Sequence, residues 1–172
     1  MNFSIAGIIS RLFAPRHDIS CSWWLWSRLC RDLRERGQNR SRESGAFLLG
    51  HIEGGRRRIT DYVLYDDLDP HSLDTGIVRF DGRYFSDLWA YCKTRNMKVV
   101  ADIHVHPGAS NQSGSDKNNP MISLKGHIAF ILPNFGENTW SRLTLGMYRY
   151  EGAKQWTAVT GALRNVFFHI GL

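Results

Sequence analysis

The chain has 172 residues, 42% of them hydrophobic and 22% charged, which suits one domain with its own core at the soluble globular average. No run approaches the roughly eighteen apolar residues of a membrane span, and an odd set of cysteines (Cys21, Cys30, Cys92) without a disulfide-like framework fits a reducing cytoplasm. The net charge of +6 is uneven, with nine arginines between Arg28 and Arg58 that end in the run Arg56-Arg57-Arg58.

Residues 1–20 read as an N-terminal extension and 21–172 as a single domain. Ile5, Ile8, Ile9 and Leu12 have helical spacing, but there is no basic n-region and Arg11 interrupts the run. A signal peptide is therefore disfavoured, leaving a short amphipathic helix over the domain or a tail. Trp26, Leu29, Cys30 and Leu33 follow an i, i+3, i+4, i+7 pattern, which predicts a helix over Ser22–Arg36 ended by Gly37. Trp23 and Trp24 beside it are expected as core anchors, the alternative being an exposed aromatic patch for a partner. Gln38 to Arg42 is a polar linker. Strands are predicted at Gly45–His51, Ile59–Tyr65 and Thr75–Arg79. The arginine run after Glu53-Gly54-Gly55 falls at a hairpin between the first two. Such tips are usually solvated, so a nucleic-acid partner is disfavoured, and an acidic protein surface is an equally physical partner. Phe85, Leu88, Trp89 and Cys92 mark a helix from Arg83 to Arg95 that feeds a strand over Val99–His106. Further strands are predicted at His127–Leu132, Leu143–Tyr150 and Gln155–Val159, then a helix from Ala162 to Ile170. Cys30 and Cys92 fall on apolar helix faces and are expected to be inert. Strands interleaved with a few helices imply a mixed sheet with helices packed on it, an α/β or α+β fold.

The chemistry is concentrated in His104-Val105-His106-Pro107 and Ser113-Gly114-Ser115-Asp116, which place two imidazoles, a hydroxyl and a carboxylate within thirteen residues. Side chains alternate along a strand, so His104 and His106 share a face. Pro107 and Gly108 stop the strand and turn the chain back across its end. Ser113 and Asp116 are spaced i, i+3 and share a face if a helical turn starts there. Two nitrogens and one oxygen leave the fourth position of a tetrahedral zinc open, the catalytic pattern.

Together with Glu43-Ser44-Gly45-Ala46-Phe47-Leu48-Leu49-Gly50 upstream, these motifs resemble the JAB/MPN metallopeptidases of the JAMM type. Their signature is a Glu on an early strand, then H-x-H-P, then S-x-x-D. The resemblance runs from about Glu43 to about Thr160. The stretches after Asp116 and from Gly126 to Phe135 look like the small stand-alone bacterial members, encoded beside ubiquitin-like proteins and E1- and E2-like enzymes in antiphage operons. The loop from His106 to Ser113 is at the short end of the family range. The resemblance implies the MPN fold, similar to the cytidine deaminases, with a mixed central sheet flanked by helices. It implies one Zn²⁺ held by His104, His106 and Asp116. It implies Glu43 as the base that takes a proton from water and passes it to the leaving amine, and Ser113 as oxyanion donor. The implied reaction is hydrolysis after the C-terminal glycine of a ubiquitin-like protein, with E1- and E2-like proteins as further partners. The residues themselves argue only for metal-assisted amide hydrolysis.

Other readings stand beside this one. Glu43 alone is a solvated charge before a strand, and Ser113 alone is a loop or N-cap serine. Asp102, on the face of His104, either orients an imidazole from outside the ligand set or has no role. His127 reads as a structural hydrogen-bonded histidine. His17, His51, His71 and His169 have no partners by spacing. Base deamination requires H-x-E and P-C-x-x-C, and neither is present. The competing functions are a non-catalytic MPN scaffold, or a hydrolase of the same type acting on a sulfur-carrier adduct or a small-molecule amide.

Overall fold

The computed structural model describes residues 17–38, 40–137 and 143–171, so the expectation for the first sixteen residues lies outside them. The described strands form one mixed sheet: β1 (Ile19–Ser22), β2 (Gly45–Glu53), β3 (Arg56–Leu64), β4 (Lys98–Val105), β5 (Ile128–Leu132), β6 (Gly146–Gly152), β7 (Gln155–Ala158) and β8 (Phe168–Gly171), in the order β7-β6-β5-β4-β2-β3-β1-β8. β2 is antiparallel to β3 and β4, while β4 and β5 run parallel. β1 lies parallel to both β3 and β8. Helices α1 (Trp23–Arg36), α2 (Tyr65–Leu68), α3 (Phe85–Thr94), α4 (Gly114–Asn118) and α5 (Leu163–Phe167), with 3-10 turns at Gly82–Tyr84 and Asn134–Gly136, complete the described elements, none long and apolar enough to cross a membrane.

Two apolar clusters cover the two faces. Trp26, Leu29, Cys30 and Leu33 of α1 pack with Leu48, Ile103, Phe130 and Phe168. Leu88 and Cys92 of α3 pack with Phe47, Leu49, Val63 and Tyr65. Ser22 caps α1 by accepting from the Leu25 amide, and Gly37 ends it, as its spacing predicts. The β2–β3 hairpin turns on Gly54 and Gly55, whose φ values of +55° and +79° need glycine at both central positions. The arginine run then opens β3 rather than forming the turn. Burial, with Cys30 nearby, pushes the Cys21 thiol up to about 12, and burial also raises Cys92; both thiols are inert at neutral pH.

Four expectations change. Thr75–Arg79 is not a strand but part of a loop whose backbone is tied to Glu43 and to Ser72. The C-terminal helix stops at Phe167, and Phe168–Gly171 become β8, because Phe168 is drawn into the core between Trp26 and Phe130. Ile19–Ser22, assigned by its sequence to the extension and the next helix, forms a strand with alternating burial. Trp23 and Trp24 are exposed, at 42% and 73%, because the buried stripe of α1 begins only at Trp26.

Candidate metal centre

The geometry of the site follows from strand register. Gly45 of β2 pairs with His104 of β4 in antiparallel register, and the Val105 amide donates to the Ser44 carbonyl. Continuing that register sets Glu43 level with His106, on the face that carries both imidazoles. Ser44 is fixed by donating its hydroxyl to the Leu33 carbonyl at 2.6 Å, which ties the end of α1 to the start of β2. The Glu43 amide donates to Gly76, and Glu43 Oε2 accepts from the Val78 amide at 3.2 Å. The segment expected as a strand is thus the clasp that holds Glu43.

Gly45 has no side chain for a local reason. A Cβ there would lie 2.3 Å from Tyr65 Cε2 and 2.8 Å from the Ile103 carbonyl oxygen. The Tyr65 ring fills that space, and its hydroxyl donates to Asp102 Oδ2 at 3.4 Å. Asp102 Oδ1 lies 2.5 Å from His127 Nε2, with both residues buried. Asp102 therefore orients His127, and His127 is a hydrogen-bonded core histidine.

Past His106 the chain turns and packs back on the sheet. The Ser110 carbonyl sits where a Cβ of Gly146 would be and accepts from Tyr148 Oη at 2.8 Å. This anchors the loop and delivers α4. Ser113 caps α4 in a reciprocal box: its Oγ accepts from the Asp116 amide at 3.1 Å, and its own amide donates to Asp116 Oδ2 at 2.6 Å. Asp116 is thereby turned towards the histidines. His104 Nε2 lies 2.9 Å from His106 Nε2, Asp116 Oδ1 is 3.5 Å from His104 Nε2, and Asp116 Oδ2 is 3.3 Å from His106 Nε2. His104 and His106 are buried.

In the tautomers that leave both Nε2 atoms unprotonated, the two nitrogens and the carboxylate present lone pairs to a common point, an arrangement that suits a cation. The same residues perturb one another's protonation. Burial pushes His106 down, but Asp116, with Glu43 nearby, more than offsets this and holds it above its ordinary value. Burial acts to raise Asp116, and His104 and His106 overcome it, holding the carboxyl well below the usual range. Zinc bonds of about 2.0–2.2 Å at tetrahedral angles set neighbouring donors roughly 3.3–3.6 Å apart. The two histidine–Asp116 spacings fall in that range and the His104–His106 spacing is shorter, and the donor set His104, His106 and Asp116 fits a metal ion.

No protein-family model matches the chain. Over 77 residues, 45% of its length, it is 26% identical to a probable metalloprotease, y4jG, of Sinorhizobium fredii. The chain matches 46% of that relative's length, a little under half. Its fold is similar to that of protein DSY2949 from Desulfitobacterium hafniense, with a TM-score of 0.62 over 88% of this chain and 92% of that one. At 14% identity, that likeness concerns the fold alone.

Two clefts flank Asp116. One, of about 450 Å³, is lined by Val78, Phe80, Phe85, Ser115 and Met121. The other is a notch of about 20 Å³ among Asp102, His104, Gln112, Asn119 and Trp156. Spacing brought His104, His106 and Asp116 into view. It missed the Val78 clasp, the Tyr65–Asp102–His127 chain and Trp156, whose Nε1 donates to the Lys117 carbonyl at 3.2 Å. None of these has a local sequence signal.

Proposed function

We propose that the protein is a zinc-dependent peptidase of the JAMM type, built on an MPN fold and working in the cytoplasm. In this reading it hydrolyses the bond after the C-terminal glycine of a ubiquitin-like protein, in deconjugation or precursor processing, within a bacterial antiphage system that includes E1- and E2-like partners. The observation that carries the catalytic part is the convergence of the His104, His106 and Asp116 ligand atoms within 4.8 Å of one another, level with an acid that is not part of the donor set. The similarity to a probable metalloprotease supports it.

His104, His106 and Asp116 would hold the ion, one per chain. When bound, zinc polarises a carbonyl and lowers the pKa of a water from 15.7 to about 7. Glu43 then has a defined task. Its Oε2 is engaged by the Val78 amide, so Oε1 takes the proton from the attacking water and returns it to the leaving nitrogen. The Ser113 hydroxyl accepts from the Asp116 amide, which leaves its own proton for the oxygen of the tetrahedral intermediate. The small notch beside His104 accepts a residue without a side chain, and the wider cleft, lined by both polar and apolar side chains, takes a larger one. A glycine carbonyl on the narrow side is therefore the favoured scissile group.

The test is elemental analysis of the wild type beside His104→Ala, together with cleavage of a ubiquitin–peptide fusion and a small fluorogenic amide. About one zinc per chain, lost in the variant, with cleavage that Glu43→Gln removes while keeping its zinc, is the expected result. Zinc bound with neither amide cut would leave a scaffold. Absence of zinc after supplementation would overturn the metal centre itself.

A further inference from the structure

A second site lies at the other end of β2. His51 is six residues beyond Gly45, roughly 20 Å along an extended strand from the pairing with His104. There, four strands bring polar side chains into one row. His51 pairs with Arg58, Arg58 with Ser20, and Ser20 with His169. Directly paired residues share a face. The row forms the floor of a cavity of about 700 Å³, completed by His17, Arg56 and Thr60. The His17 ring stacks on His169, with centroids 4.5 Å apart. Three histidines that spacing left without partners thus meet around an arginine cluster.

The charge of this cavity is uncompensated. Arg28, Arg31, Arg36, Arg40, Arg83 and Arg149 each pair with a carboxylate. Arg56, Arg57 and Arg58 have no such partner among the described residues, and residues 1–16 contain no Asp or Glu. Glu53, opposite Arg56 across the hairpin, is the one acid in the lining. Arg57 donates Nη2 to the Gly126 carbonyl at 2.6 Å, while its Nη1 is buried with no hydrogen-bond partner among the described residues. Burial, with Arg149 nearby, lowers Arg57 from the ordinary guanidinium value. By alternation the Arg57 side chain shares the face of Ile19 and Ile59, so Arg56 and Arg58, with the face of Thr60, carry the charge over the row.

We propose that this cavity binds a phosphate-bearing small molecule of nucleotide size. Guanidinium forks match phosphate oxygens bidentately, and the Ser20 and Thr60 hydroxyls add neutral donors. Arg56 and Arg58 put two guanidinium forks on one wall of the cavity, which suits the several oxygens of a phosphate better than a single carboxylate. The volume is that of a small-molecule site. Among the described residues the lining has no Phe, Tyr or Trp on which successive bases would stack, which argues against a single-stranded nucleic acid. The site is separate from the metal centre and does not depend on its reading.

The test is calorimetric titration of the metal-free full chain with inorganic triphosphate, ATP and a single-stranded oligonucleotide. The same titrations are made on Arg56→Ala/Arg58→Ala and on Asp116→Ala. Both arginines are exposed, so the double variant keeps the wild-type circular dichroism spectrum and melting midpoint. The expected result is saturable 1:1 binding of triphosphate or ATP, at least tenfold weaker in the double variant and unchanged in Asp116→Ala. Tighter binding of ATP assigns the ligand as a nucleotide, and equal binding assigns it as a free polyphosphate. No saturable binding at millimolar concentration would overturn the proposal. So would equal binding by the double variant, loss in Asp116→Ala, or binding of the oligonucleotide alone.

Discussion

At the scale of single residues, the candidate ligands His104, His106 and Asp116 are held together by their own contacts. That predicts opposite pH behaviour with and without zinc. His106 is raised above 6.5, so in the metal-free protein its contribution to stability is fully present below 6.5 and is lost as pH rises through its folded value. Asp116 is depressed, so its contribution is present above about 4 and is lost as pH falls through its folded value. Metal-free protein should therefore be most stable between about pH 4 and 6.5, as read by urea midpoints, and Asp116→Asn should flatten the profile. Zinc requires a neutral His106, so its affinity should instead rise as pH climbs through the raised His106 value, measured by chelator competition at pH 6 and 8. Gly45→Ala is a second prediction at this scale. Its Cβ must displace the Tyr65 ring and approach the Ile103 carbonyl, so it should cost at least about 1–3 kcal/mol in a denaturant titration. The histidine pair and Asp116 were legible because strand and helix periods act over two to four residues. The partner of Glu43 was not, because Val78 lies 35 residues on, in a loop that only the tertiary fold brings back to the start of β2.

At the scale of elements, α4 has only five residues, too short to hold itself, and the Ser113 capping box is what orients Asp116. Ser113→Ala should cost about 1 kcal/mol of local order and weaken zinc roughly tenfold, whereas Ser113→Asn keeps a cap and should keep zinc. Equal loss of turnover in both variants, with zinc retained, would isolate the oxyanion role of the hydroxyl. α1 and α3 were legible because each shows an apolar stripe at period 3.6, with Leu29, Leu33 and Leu88 fully buried. The segment Thr75–Arg79 has the composition of a strand, yet its backbone groups are taken by Glu43 and Ser72, so no ladder forms. β1 and β8 have four residues each and directly abut helices, so the sequence merges them with those helices, and their tertiary pairing makes them strands.

At the scale of the whole molecule, the sheet curls until its two halves touch. Arg149 of β6 reaches Asp18, just before β1, at 2.5 Å, although four strands lie between them in the sheet order. The mixed sheet and its helices follow from composition and period, but this closure does not, because it rests on contacts between the ends of the chain. The pairing of Ile19 with Phe168 joins positions 149 apart (168 − 19). Closing a flexible loop of that size costs on the order of 4 kcal/mol of chain entropy before any contact rewards it. The β1–β8 ladder should therefore form late, after the rate-limiting barrier. Phe168→Ala should speed unfolding in a chevron while leaving the refolding limb nearly unmoved. Until β8 docks, β1 presents an open edge to any neighbouring copy, so a chain caught at that stage is poised for strand exchange and aggregation.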